Sequence, residues 1–362
     1  MKWPTLSLAL AAIFDLTSAQ TPSDAGAGAD LYVQIGQHVI FSYPGEKPPE
    51  HLFTLINEGK VGGIILFREN VTPELPQIIN RFLTTYEESP AYLGSPLLIM
   101  TDQEGGEIRR LPGAPEQTAK EVGASEDPFI TAGETGDGAA GTLKGYNMNA
   151  NLAPVLDVYR EEGDFTDRWG RSYSDNTTIV SGCAASFIRS QQKNGVLATA
   201  KHFPGLGAAA REENTDERPV TIDLSLDEIR SVDEAPYHHA IRAGVAMIMP
   251  SWAVYPALDP EFPAGMSKRW VRDELRGRLG YDGVVITDAI EAGSLEAFGD
   301  HGQRGVLAKQ AGVDILLASG RNVTQGESII AALREALEGG ELSREEFDQS
   351  SRRVQEVRAR LA

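Results

Sequence analysis

The feature that most narrows the fold is a rhythm. Eight short runs rich in apolar and β-branched residues, at 36–42, 61–67, 96–101, 149–156, 196–201, 245–250, 283–287 and 313–318, recur with longer amphipathic stretches between them. Runs of this length suit strands, and the stretches 73–87, 267–279 and 327–337 carry helical spacing. Strand–helix alternation of this kind builds parallel strands joined by crossover helices. Eight units predict an α/β chain folded as a closed (β/α)8 TIM barrel. Nothing resembling a linker, a low-complexity tract or a short-period repeat divides residues 28–362, so one domain is expected there. The stretch 343–361 reads as an amphipathic terminal helix packed on the barrel exterior.

Charge excludes some partners. With 52 acidic against 33 basic residues and a net charge of -19, the chain is unsuited to nucleic acid or to an anionic membrane surface. Residues 1–19 read as a secretory signal: Lys2, an apolar run from Thr5 to Phe14, then Thr17-Ser18-Ala19. That run is too short to span a bilayer. Three glycosylation triplets, beginning at Asn70, Asn176 and Asn322, fit a secreted protein. Cys183, the single cysteine, precludes an intramolecular disulfide and reads as a buried thiol.

In a (β/α)8 barrel the chemistry gathers at the carboxyl ends of the strands. Those ends carry Asp102, Asp157, Lys201, His202, Ser251 and Asp288. Asp288 suits a rigidly held nucleophile, and equally suits the N-cap of a following helix. Asp102, Arg110, Arg171, Lys201 and His202 are the residue types that converge on sugar hydroxyls, although each alone also fits a surface or core role. Lys201 invites a further reading as a Schiff-base lysine. The glycines after it lack nucleotide-binding spacing, and no His/Glu metal motif occurs, so no metal or cofactor is expected.

Seven motifs in order give the chain a resemblance. They are Gly62-Gly63-Ile64-Ile65-Leu66-Phe67, Asp102-Gln103-Glu104-Gly105-Gly106, Ala153-Pro154-Val155-Leu156-Asp157, Gly170-Arg171-Ser172-Tyr173, Lys201-His202-Phe203-Pro204-Gly205, Tyr255-Pro256-Ala257 and the run from Asp282 to Asp288. From about residue 34 onward the sequence resembles glycoside hydrolase family 3, in its single-domain β-N-acetylhexosaminidase branch. The resemblance implies that Asp102, Arg110, Arg171, Lys201 and His202 bind an N-acetylglucosamine ring. It further implies that Asp288 forms a covalent glycosyl intermediate in a retaining, exo-acting hydrolysis.

The sequence departs from that branch at one place. The branch uses an Asp-x-His pair as acid/base on the loop after the Lys-His strand, and no histidine lies between His202 and His238. The corresponding loop, 211–217, offers Glu212, Glu213, Asp216 and Glu217 instead, with Glu213 and Asp216 as the candidates for acid/base. The competing expectation is a catalytically impaired barrel that binds amino sugars without cleaving them.

Overall fold

The computed structural model describes Met1 and residues 31–362; the expected leader, apart from Met1, lies outside the described residues. Each of the eight apolar runs contributes one barrel strand: β1 Val39–Phe41, β2 Gly63–Ile65, β3 Leu98–Thr101, β4 Ala150–Asn151, β5 Leu197–Phe203, β6 Met247–Pro250, β7 Val284–Ala289 and β8 Ile315–Leu317. All neighbouring pairs are parallel, and β8 closes onto β1 with Val39 opposite Leu316. Helices such as Leu75–Glu87, Thr177–Lys193 and His301–Ala311 link successive strands on the outside, and Val323–Glu338 follows the last strand.

The two-residue period of the strands separates two cores. Leu98 and Met100 of β3, Met247 and Met249 of β6, and Val284 and Ile286 of β7 turn inward and fill the barrel. Ile99, Ile248 and Val285 turn outward and meet the helices in a larger cluster. Cys183 sits in that outer cluster as a buried free thiol, as its sequence context suggests.

Three strand boundaries differ from the sequence expectation. The run 149–156 pairs as a strand only over Ala150–Asn151, because Pro154 has no N–H to give the ladder. Val155 nonetheless bridges Lys201 alongside β5. Strands β5 and β7 run two residues further than expected, so His202 and Asp288 lie within the strands rather than after them. The stretch 267–279 forms a π-helix over Arg269–Arg278.

The terminal helix, Arg344–Ala359, is not an exterior element. Its Val354 and Val357 join the barrel-interior cluster, so the helix stops the amino-terminal mouth of the barrel like a floor. Its arginines fasten it there: Arg358 donates to the carbonyls of Ser95 and Pro96, and Arg353 pairs with the buried Asp314 just before β8 at 2.9 Å.

The three glycosylation triplets separate on burial. Asn176 and Asn322 are exposed helix N-caps, accepting from the Thr178 and Thr324 N–H groups. Asn70 is fully buried; its amide donates to the carbonyls of Tyr43 and Gly45 and accepts from the Phe67 N–H. Among the described residues no helix is long and apolar enough to cross a membrane.

Candidate active site

A cavity of about 570 Å³ opens at the carboxyl ends of the strands, within the range typical of small-molecule sites. Asp102, Arg110, Arg171, Lys201, His202, Asp216 and Asp288 all line it. Glu213 does not; its carboxylate accepts from the Ala210 N–H at the base of its own loop.

The inner wall is a lattice of opposite charges. Lys201, 3% exposed at the end of β5, reaches Asp102 at 2.8 Å and Glu104 at 2.7 Å. Arg171 grips Glu104 with two nearly parallel bonds of 2.8 and 2.9 Å, the fork geometry that fixes both orientation and distance. Arg110 completes the set at 3.5 Å from Asp102. Burial alone would keep these carboxyls protonated, but the cations outweigh it: Lys201 and Arg110 hold Asp102 well below the usual carboxylate range, and Arg171 with Lys201 brings Glu104 to about 2. Lys201 also responds in two ways. Burial opposes its charge, yet Asp102 and Glu104 raise its pKa above the ordinary lysine value, so it stands as an ammonium. An ammonium has no lone pair for a carbonyl carbon, which speaks against the Schiff-base reading.

His202 is fixed from behind. Asp157, wholly buried in the stretch that follows β4, accepts from the His202 ring nitrogen Nδ1 at 2.8 Å. Its other oxygen accepts from the His202 and Leu206 backbone N–H groups. The imidazole edge is thereby held toward the cavity as a directed hydrogen-bonding group.

Asp288 is half-buried at the end of β7. Among the described residues its side chain accepts only from the adjacent Ala289 N–H, at 2.7 Å, and it caps no helix: the short helix that follows starts at Gly293 and the next is capped by Asp300. Trp252 pins the Ala289 carbonyl at 2.9 Å, which steadies the strand end carrying the carboxylate.

The acidic loop is brought to this carboxylate by main-chain bonds. The Gly293 N–H donates to the Asp216 carbonyl at 2.8 Å and the Ser294 N–H to the Thr215 carbonyl at 3.2 Å. The approach is close enough that a Cβ on Gly293 would stand 2.4 Å from the Glu217 carbonyl oxygen, so glycine is required there. The Asp216 carboxyl faces the open cavity yet is crowded by its walls. Although the residue is solvent-exposed, desolvation by the surrounding walls, and then the negative charge of Asp288, raise its pKa to about 6. Glu217 lines the same wall with an oxygen engaged by Asn214, and Glu291 lies beside them, held by Ser319 at 2.6 Å and Gln325 at 3.0 Å.

Sequence reasoning places Asp157 at a strand end without giving it a role, and it misses Glu104 and Glu291 as members of the site. Glu104 and Asp157 stand inside quoted motifs, but their work is to balance or aim other side chains, which only three-dimensional neighbours reveal. Glu291 carries a weak signal: it follows Asp288 by three residues on the same strand-end loop. Among the described residues no group of three or more His, Cys, Asp or Glu side chains is arranged to hold a metal ion.

Carboxyls at the strand ends beside a charged wall that can hold hydroxyl groups suit glycoside hydrolysis on a (β/α)8 barrel. The chain belongs to glycosyl hydrolase family 3: the model of that family's N-terminal domain matches residues 31–357. It is 60% identical over 92% of its length to an uncharacterised secreted glycosyl hydrolase of Arthroderma benhamiae, covering 94% of that protein. Its fold matches a family 3 β-N-acetylglucosaminidase from a Paenibacillus species at a TM-score of 0.85 and 30% identity, covering 92% of this chain and 63% of that one. A β-N-acetylhexosaminidase from Beutenbergia cavernae matches at a TM-score of 0.82 and 30% identity, over 92% and 99% of the two chains.

Proposed function

We propose that this chain is a secreted, retaining exo-glycosidase that releases terminal β-linked N-acetylhexosamine, with Asp288 as nucleophile and Asp216 as acid/base. The observation that carries the reading is the main-chain tether from Gly293 and Ser294 to the acidic loop, which sets a carboxyl of pKa about 6 in the same cavity as Asp288. The substrate class draws support from the β-N-acetylglucosaminidase and β-N-acetylhexosaminidase named above. Secretion draws support from the Arthroderma relative and from the leader reading of residues 1–19, with one barrel domain over 28–362.

In the first step the Asp288 carboxylate forms a bond to the anomeric carbon while the bond to the leaving oxygen breaks and Asp216 gives that oxygen its proton. Asp102, Arg110, Arg171, Lys201 and His202 hold the ring hydroxyls in a floor already organised by its ion pairs, so little reorganisation is needed. Esterification removes the negative charge of Asp288, and with it part of what raises the Asp216 pKa. Asp216 therefore becomes more fully ionised when it must accept a proton from the water that attacks the glycosyl ester.

The absent Asp-x-His pair favours the second reading, a barrel that binds amino sugars without cleaving them. The two separate with a β-N-acetylglucosaminide of an activated phenol, which needs little acid assistance. Release of phenol by the wild type and its loss in Asp288→Asn is the expected result. Binding of N-acetylglucosamine without any release would replace hydrolysis by the binder.

A further inference from the structure

Trp169 is out of place by ordinary burial rules. Among the described residues the large apolar side chains that stand exposed are Met1, Tyr92, Phe129, Ile130 and Trp169, and of these Trp169 alone lines the cavity, at 44% exposure. The other described tryptophans, Trp252 and Trp270, are buried.

The indole is presented rigidly. It ends a short helical turn, Asp167–Trp169, whose Asp167 is buried and accepts from Lys120 at 2.9 Å and from the Gly163 N–H at 2.8 Å. Gly170 closes the turn in the left-handed conformation, φ 65°, so that Trp169 stays at the rim while Arg171 drops to the floor. The Arg168 guanidinium lies 5.2 Å from the centroids of both Phe165 and Trp169, which stiffens the ring.

The turn also belongs to the acid/base side of the cavity. The Phe165 N–H donates to the Ala209 carbonyl at 3.0 Å, and Arg168 donates to the Arg211 carbonyl at 2.8 Å, tying the turn to the loop that carries Asp216. The general acid of a glycosidase stands beside the leaving oxygen, so the rim next to its loop faces the aglycone.

Resting on the function proposed above, we infer that Trp169 is the stacking platform of the aglycone site and selects for aglycones that are themselves pyranoses. The C–H face of a pyranose is flat and apolar and covers an exposed indole well, while the sugar's hydroxyls remain free for water. A ring braced by Arg168 loses less freedom on being covered than a free one.

The test compares two kinds of substrate of the purified full chain. One is the di- and trisaccharide of β-1,4-linked N-acetylglucosamine; the other is the β-azide of N-acetylglucosamine, whose leaving group is too small to reach the rim. Trp169→Ala is expected to lower the ratio of kcat/KM for oligosaccharide over azide by about tenfold, and Trp169→Phe to keep most of it. Addition of the trisaccharide to Asp288→Asn is expected to shift a tryptophan emission component that Trp169→Phe lacks. A ratio unchanged in Trp169→Ala, with azide still consumed, overturns the platform and leaves the glycosidase standing. No turnover of either substrate by the wild type sinks both.

Discussion

Removing the proton donor gives the sharpest test of the catalytic assignment. Asp216→Asn keeps the side-chain volume and the backbone carbonyl that Gly293 holds, so the loop stays in place while its titrating proton is lost. With a pKa of about 6, Asp216 is roughly nine-tenths protonated at pH 5 and roughly one-tenth at pH 7. As a general acid it must be protonated, so wild-type kcat/KM on a poor leaving group falls as pH rises through about 6. General acid assistance is worth about 10²- to 10⁴-fold, and that loss is expected in Asp216→Asn with an alkyl or sugar aglycone. With an activated phenol the loss in the first step shrinks to about tenfold or less, because the departing phenolate needs little help. Adding azide to Asp216→Ala should restore turnover as β-glycosyl azide, since an anionic nucleophile requires no base. The assay is a pH series of initial rates on both leaving groups for both enzymes. An alkaline limb near pH 6 that persists in Asp216→Asn, or equal losses on good and poor leaving groups, refutes the role.

Two other outcomes follow from the same geometry. Glu104→Gln leaves Lys201 and Arg171 with one counter-charge fewer, and breaking a buried pair in this way costs about 3 kcal/mol, measurable by denaturant titration. Because Glu104 falls from 4.5 to about 2 on folding, its contribution is fully present above pH 4.5 and is lost as pH falls toward 2. The variant should lack that part of the acid transition, and a difference under about 1 kcal/mol at pH 7 would count against the ion-pair floor. For glycosylation, peptide mass spectrometry of protein secreted from a eukaryotic host is expected to find glycans on Asn176 and Asn322 and none on Asn70, whose amide is spent inside the fold; a conjugated Asn70 would contradict its buried role.

The barrel was legible because it is written in a local code: each apolar run names a strand, and eight of them name the closure. The strand-end residues followed from that, and Lys201, His202 and Asp288 could be found without coordinates. Glu104 could not, since its meaning depends on Arg171, 67 positions away, and on Lys201, farther still. The choice between Glu213 and Asp216 was equally closed to sequence, because the loop 211–217 has no periodicity and its position is dictated by N–H groups at 293 and 294. The terminal helix shows the same limit. Its spacing announces an apolar stripe, but Val354 and Val357 do not say whether that stripe meets the flank of the barrel or its open end.

The tether between the two loops has an evolutionary reading. Gly293 and Ser294 bind carbonyls, which every residue possesses, and so they specify an address in the cavity without specifying its occupant. A mutation at position 216 exchanges one proton carrier for another while the loop keeps its seat. Under the proposed roles, a site built this way lets the acid/base side chain change, retuning the pH at which it works, without dismantling the loop's seat.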